Sequence, residues 1–391
     1  MIKKFFKKFV CDIIYLIVNF IIKLPIFKKF QLVEINASRV ANLIMETEIF
    51  YRESNSNKGY LIFFYKISNK YFVQLFLEKI KRNKKIIVLP GYFFWKKVCN
   101  AFYFSSKTEL QFTVKNVRKK FSFILNQDPF LSLSNQDLER GYRIIKKYGI
   151  GKNDKWICVY NRDGAYLKSF IKNKDWTYHN FRNFPIKDLE KAINYFIKNK
   201  YFVIRVGSIS EGTLNVSDNK YFDYSNSDIK SDFMDCFLLS KCEMFFGGSS
   251  GIGLLPASFR RPYFLINNCP LEGVFSIKRI YPTIFKRIKD LRTNKVLSIR
   301  QMIDRNLCNT FTSEGFDNKN VENLNNTEEE IKEFAIEALN ILENSPKVED
   351  KIIDHQKKTA FESEIIRDSI MKNLEYKNPI GSSFLEKTQI T

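Results

Sequence analysis

Apolar positions in this chain follow two patterns. Short uninterrupted runs, bounded by Gly, Pro, Asn or Asp, are separated by longer stretches in which apolar residues recur every three or four positions. The first pattern marks strands buried on both faces, and the second marks amphipathic helices. Residues 31–35, 60–65 and 85–89 read as strands, the last as a buried one, with helices at 37–50, 71–82 and 93–102. After a linker helix at 131–148, N-capped by Ser134, the alternation resumes. Strands are expected at 156–160, 202–206, 221–224, 244–246 and 263–266, and helices at 186–198 and 252–259. From Thr327 an acidic start opens an amphipathic helix with Ile331, Phe334, Ala335, Ala338, Leu339, Ile341 and Leu342 on its apolar side.

Alternation of this kind predicts an α/β fold with doubly wound parallel sheets. At 391 residues there is room for two such domains. We expect an N-terminal helix at 1–29, Rossmann-like domains at 30–148 and 149–320, and a helical tail at 321–391.

Charge narrows the partners. Lys and Arg number 64 against 42 Asp and Glu, a net +22, which favours anionic ligands. Many of the lysines stand beside Asn, Ile and Phe, and no finger, homeodomain or RNP pattern accompanies them, so nucleic acid is not the expected partner. Seven scattered cysteines without a C-x-x-C pair read as free thiols in a reducing compartment. With two histidines in the chain, no metal site is expected. In residues 1–29, lysines flank an interrupted apolar core that is short for a bilayer span. Its two readings are a helix lying on an anionic membrane surface and a first helix packed on the domain.

The densest chemistry lies between Cys242 and Asn268. An apolar run stops at Gly247-Gly248-Ser249-Ser250-Gly251, and a small-residue segment follows. Such a turn suits a phosphate or sugar-diphosphate cradle, because glycine lets backbone N–H groups approach a ligand; it also suits a plain tight turn. It matches neither the dinucleotide fingerprint nor the P-loop. It does match G-x-S-x-G, which would make Ser249 a hydrolase nucleophile, with His355 the only later histidine.

Charged residues mark the other strand ends: Asn161-Arg162-Asp163, the loop from Tyr178 through His179 and Arg182 to Asn183, and Arg205 before Gly207. Open α/β sheets bind ligands at such ends, and guanidinium groups grip phosphate with paired hydrogen bonds. Arg162, Arg182 and Arg205 are therefore phosphate candidates, alongside Gly207, Gly248, Ser249, Ser250 and Gly251. Asp163 and His179 each read either as an ordinary hydrogen-bonding group or as a general base. Asn183 and Asn267 are sugar or base contacts, or turn formers.

The blocks NRDGAYLK, WTYHNFRNFPIKDLEKAINYFIKNKYFVIRVGS and FMDCFLLSKCEMFFGGSSGIGLLPASFRRP occur in this order. Together they resemble a family of bacterial glycosyltransferases of GT-B type with R-D…Y, Y/H-x-x-R-N, V-I-R-x-G and S-G-x-x-x-x-P motifs. SRVANL and IGSSFLE are similar to that family's ends. A looser similarity to fucosyltransferase-like enzymes falls on His179 and Arg182. Arg39-Val40 is followed by Ala41-Asn42, where a Gly-His-Leu-like run would be expected.

The resemblance implies two Rossmann-like domains across a cleft, with the second binding a nucleotide-sugar as co-substrate and the first a glycan or glycolipid acceptor. It implies metal-independent transfer without a further cofactor, in surface polysaccharide synthesis at the cytoplasmic face of the membrane. A non-catalytic nucleotide- or glycan-binding protein is the alternative.

Overall fold

The computed structural model describes residues 29–344 and 381–384, except 56, 105–110, 115–116, 166–168, 170–174, 215 and 271–280. It also describes five isolated helical positions in the N-terminal segment, Phe9, Asp12, Ile13, Leu16 and Phe20. Cys11, His355 and most of the tail lie outside the described residues. The chain divides into unit 1, Met1–Ile124, and unit 2, Leu125–Thr391.

Unit 1 is built on a four-stranded, all-parallel sheet in the order β3-β2-β1-β4. Its strands are β1 (Phe30–Asn36), β2 (Gly59–Tyr65), β3 (Lys85–Val88) and β4 (Gln111–Phe112). Helices Val40–Glu53, Lys70–Lys81 and Tyr92–Phe104 follow the first three strands in turn. Val33 and Ile35 of β1 and Ile62 and Phe63 of β2 are fully buried, as a parallel sheet covered by helices requires. The Asn69 carboxamide accepts from the Phe72 amide at 2.7 Å and starts the helix Lys70–Lys81. Phe50 meets Tyr60 and Phe112 edge-on, with centroids 5.0 Å away in each case.

One expectation needs correction. β3 is apolar in sequence but is not buried: it is an edge strand, with Ile87 50% and Val88 41% exposed.

Unit 2 carries a six-stranded, all-parallel sheet in the order β7-β6-β5-β8-β9-β10. The strands are β5 (Trp156–Tyr160), β6 (Phe202–Arg205), β7 (Tyr221–Asp223), β8 (Met244–Gly247), β9 (Tyr263–Asn268) and β10 (Thr283–Phe285). Numbered within the unit this is 3-2-1-4-5-6, the Rossmann strand order. An antiparallel sheet, β12-β11-β13, adds Lys295–Val296, Arg287–Asp290 and Val321–Leu324.

The helix Asn135–Lys146 belongs to unit 2 and is not a linker. It is capped by Ser134, and Gly141 abuts Phe237 so closely that an added Cβ would lie 2.2 Å from the ring. The acidic helix Glu328–Asn344 begins with a capping box. The Glu330 amide donates to Thr327 Oγ1, and the Glu330 carboxylate accepts from the Thr327 amide. The apolar side of this helix closes the unit 2 core, where Phe334 lies 5.7 Å from Phe246 and 6.2 Å from Phe264. The six described cysteines are free and buried.

Candidate functional site

In an all-parallel sheet, the crossovers leave on opposite faces where the strand order reverses, which opens a crevice at the carboxyl edge. In unit 2 the reversal falls between β5 and β8. Their carboxyl ends carry Asn161-Arg162-Asp163 and the glycine turn.

The first two glycines of that turn are needed for packing. Gly247 pairs with Tyr160, and a Cβ there would stand 2.2 Å from the Tyr160 carbonyl oxygen. A Cβ on Gly248 would meet the Phe184 ring at 2.6 Å. The Gly248 amide is already used, donating to the Tyr160 carbonyl at 3.0 Å. Neither residue has positive φ. The helix behind the turn, Leu254–Ser258, is only five residues long and contains Pro256, so few peptide dipoles align toward the crevice.

Side chains supply the charge instead. Arg182, at the end of the 3₁₀ helix Thr177–Arg182, donates through Nη2 to the Ser249 carbonyl at 2.7 Å and to Ser249 Oγ at 3.4 Å. Arg162 sits beside Gly248, its Cβ 3.7 Å from the position a Gly248 Cβ would take, and its carbonyl accepts from the Phe184 amide. The Ser250 hydroxyl hydrogen-bonds the Tyr160 side chain and accepts from the Gly253 amide at 3.3 Å. Burial raises the Tyr160 phenol above its ordinary value.

Sequence reasoning missed a third cation, Lys286. It follows β10, is 4% exposed, and donates through Nζ to the Asn183 carbonyl at 2.7 Å. Its backbone amide bonds the Asn268 carbonyl, fixing it at the carboxyl edge of the sheet. Burial pulls the ammonium down to about 8; Cys269 and Asp188 oppose that shift and Arg162 adds to it. The available signal was faint, a lysine set directly behind the apolar pair Ile284-Phe285.

Arg205 is a correction. Its side chain is fully buried and makes five hydrogen bonds within the protein, as many as it has N–H groups. Nε and Nη2 donate to Asn161 Oδ1, Nη1 to the Gly212 carbonyl and Asp223 Oδ2, and Nη2 to the Glu211 carbonyl. It pins the 207–212 loop and has no N–H left for a phosphate. Gly207 allows the start of that loop, with φ +149° and no room for a Cβ beside Ser210 Oγ.

Asp163 clamps the same loop: Oδ2 accepts from the Glu211 amide at 2.8 Å and Oδ1 from the Ala165 amide at 3.1 Å. Burial raises its pKa above the usual carboxylate value. His179 packs at a tilt against Tyr178, with centroids 4.0 Å apart, lies parallel to the Trp176 ring at 6.4 Å, and is one helical turn from Arg182.

Asn267 holds a left-handed backbone conformation, φ +49°, and exchanges two amide–carboxamide hydrogen bonds with Asn326, at 2.8 and 2.6 Å. These bonds tie the end of β9 to the segment before the helix Glu328–Asn344, while the buried Asn267 Nδ2 has no partner among the described residues. Asn183 bonds Asn180 through Nδ2, while its carbonyl holds Lys286.

Unit 1 has its own strand-order reversal, between β1 and β4. At the carboxyl end of β1 the Asn36 amide donates to Glu46 Oε2 at 2.7 Å. Nearby, Glu34 accepts from the Tyr92 hydroxyl at 2.9 Å and from Lys96 at 2.5 Å. Burial pushes the Glu46 carboxyl up to about 7; the Asn36 amide opposes that, Glu34 adds to it, and Lys96 opposes it. Glu46 was also missed by sequence reasoning, although a glutamate in the apolar stretch Leu43-Ile44-Met45 was the clue.

No family model matches the chain, and no curated protein matches it. Among solved structures it is similar to the glycosyl transferase family 9 protein of Veillonella parvula, at 11% identity over 80% of this chain and 97% of that one, TM-score 0.46. It is also similar to the ADP-heptose lipopolysaccharide heptosyltransferase II of E. coli, at 12% identity over 60% and 84%, TM-score 0.34. The E. coli heptosyltransferase WaaC with ADP gives 11% identity over 66% and 90%, TM-score 0.32.

Proposed function

We propose that this chain is a glycosyltransferase that moves a sugar from a nucleotide-activated donor to a hydroxyl of a glycan or lipid-linked glycan, in surface polysaccharide synthesis. The observation that carries the proposal is the set of cations in unit 2: Arg162 and Arg182 lie at the sheet's strand-order reversal beside the Ser249–Ser250 turn, and buried Lys286, after β10, holds the Asn183 carbonyl next to Arg182. A nucleoside diphosphate leaving group gains negative charge as its bond to the sugar breaks, and fixed cations in a partly dry crevice stabilise that charge. This needs no resident metal and no further cofactor. A second sheet with its own reversal, in unit 1, provides for a second substrate.

As the acceptor oxygen bonds the sugar carbon, its proton passes to a general base, which works best with a pKa near the working pH. Glu46 meets that condition. Asp163 is the second candidate, with both oxygens already accepting backbone amides. His179 is the third.

Placement at the inner face of the cytoplasmic membrane is part of the proposal. Phe9, Ile13, Leu16 and Phe20 are spaced by three and four and are 40–70% exposed. No described helix is long and apolar enough to cross a membrane.

The test is thermal stabilisation by UDP, GDP, CMP and ADP and by their sugars, followed by transfer from the sugar that binds. Saturation near 100 times Kd adds about 2.7 kcal/mol of stability. No shift with any nucleotide would sink the proposal.

A further inference from the structure

Among its described residues, unit 1 exposes large apolar side chains where a lone soluble domain would bury them. Ile87 and Val88 lie on the edge strand β3, and the helix that follows puts Phe93 and Phe94 outward, 74% and 47% exposed. The tip is strongly basic. From Lys79 to Phe104 there are seven Lys and Arg and not one Asp or Glu, with Lys85 and Lys97 exposed beside the apolar residues. Trp95 is held at its root, donating from Nε1 to the Pro90 carbonyl at 2.9 Å. Aromatic side chains flanked by lysines at the junction of β3 and the next helix match a bilayer interface: rings enter the headgroup boundary while ammonium groups meet anionic phosphate.

We propose that this β3–helix tip is a membrane-docking surface for anionic lipid, separate from residues 1–29. It stands independently of the glycosyl-transfer reading, and loss of one leaves the other intact.

The test uses the full chain with phosphatidylcholine vesicles, with and without 30% phosphatidylglycerol, carrying bromine on the acyl chains. Of the three tryptophans, Trp156 and Trp176 are buried in unit 2, so bromine quenching reports on Trp95. The expected result is quenching on anionic vesicles that disappears in Trp95→Phe and in Phe93→Ser/Phe94→Ser, with melting temperature unchanged. Lys85→Glu/Lys97→Glu is expected to weaken partitioning by roughly 30-fold, from about 1 kcal/mol for each basic residue removed. Quenching and partitioning equal to wild type in Phe93→Ser/Phe94→Ser would overturn the proposal and leave residues 1–29 as the anchor. A dimer in sedimentation, dissolved by the same double substitution without lipid, would also overturn it, because the exposed edge strand would then be pairing with a second copy.

Discussion

Arg182 donates to the backbone carbonyl of Ser249 at 2.7 Å, so the loop after β5 holds the turn after β8 through a guanidinium. The contact fixes where the fork sits beside the turn, and in the proposed donor site the fork meets the diphosphate. Removing it should therefore weaken binding more than folding. A charge-assisted hydrogen bond contributes about 1.5–3 kcal/mol. Arg182→Ala is expected to raise the Kd of the preferred nucleoside diphosphate by roughly 10- to 100-fold, and Arg182→Lys by nearly as much, because lysine offers no planar fork. Calorimetric titration checks this; an unchanged Kd in Arg182→Ala would remove Arg182 from the donor site.

Arg205 is expected to behave in the opposite way. Its deletion strips partners from Asn161, Asp223 and two loop carbonyls in a buried position. Breaking a buried ion pair by removing one partner costs about 3–5 kcal/mol. Asp223 keeps some solvent contact, which points to the lower end. Denaturant unfolding of Arg205→Met should show a loss of about 3 kcal/mol, and protein that stays folded should still bind nucleotide. A variant as stable as wild type that has lost only ligand affinity would return Arg205 to the binding site.

These two arginines show what sequence can and cannot tell. Arg205 ends an apolar run and Arg182 lies in a polar aromatic loop, yet both read by pattern as arginines at strand ends and hence as phosphate candidates. Only the path of the 207–212 loop, which brings the Glu211 and Gly212 carbonyls onto Arg205, separates them. The strands and the glycine turn were legible because hydrophobic runs and glycines act locally. β4, with two residues, and β10, with three, are too short to leave a run, and missing β10 hid Lys286. The exposure of β3 was illegible for a related reason: Ile86-Ile87-Val88 has the composition of an inner strand, and only its place at the sheet edge exposes it. Gly247 and Gly248 have a further reason that pattern does not show, since they make room for Tyr160 and Phe184.

Lys286 gives a pH dependence with a definite sign. Its folded pKa, about 8, lies below the usual lysine value of 10.5. Between those values the unfolded chain holds the proton that the folded chain has released, so this group makes stability rise with pH across that window. Anion binding runs the other way, because the bound anion favours the ammonium. Nucleotide affinity should fall as pH rises through about 8, and Lys286→Met should flatten both profiles. A wild-type affinity level from pH 7 to 9.5 would separate Lys286 from the ligand.

Glu46 carries the remaining prediction. Its folded pKa of about 7 stands above the ordinary 4.5, so the folded state holds a proton that the unfolded state gives up. Stability from this group is therefore present at acid pH and declines between about 4.5 and 7. A base must be ionised, so kcat/KM for transfer should rise along an acid limb with an apparent pKa near 7. Glu46→Gln keeps a carboxamide oxygen for the Asn36 amide but cannot take a proton. It is expected to lower kcat by about 10²- to 10⁴-fold, the usual contribution of a general base, with donor Kd unchanged and the acid limb gone. Should that limb persist in Glu46→Gln and vanish in Asp163→Asn, the base belongs to unit 2, and Glu46 is a buried carboxyl that only holds the end of β1.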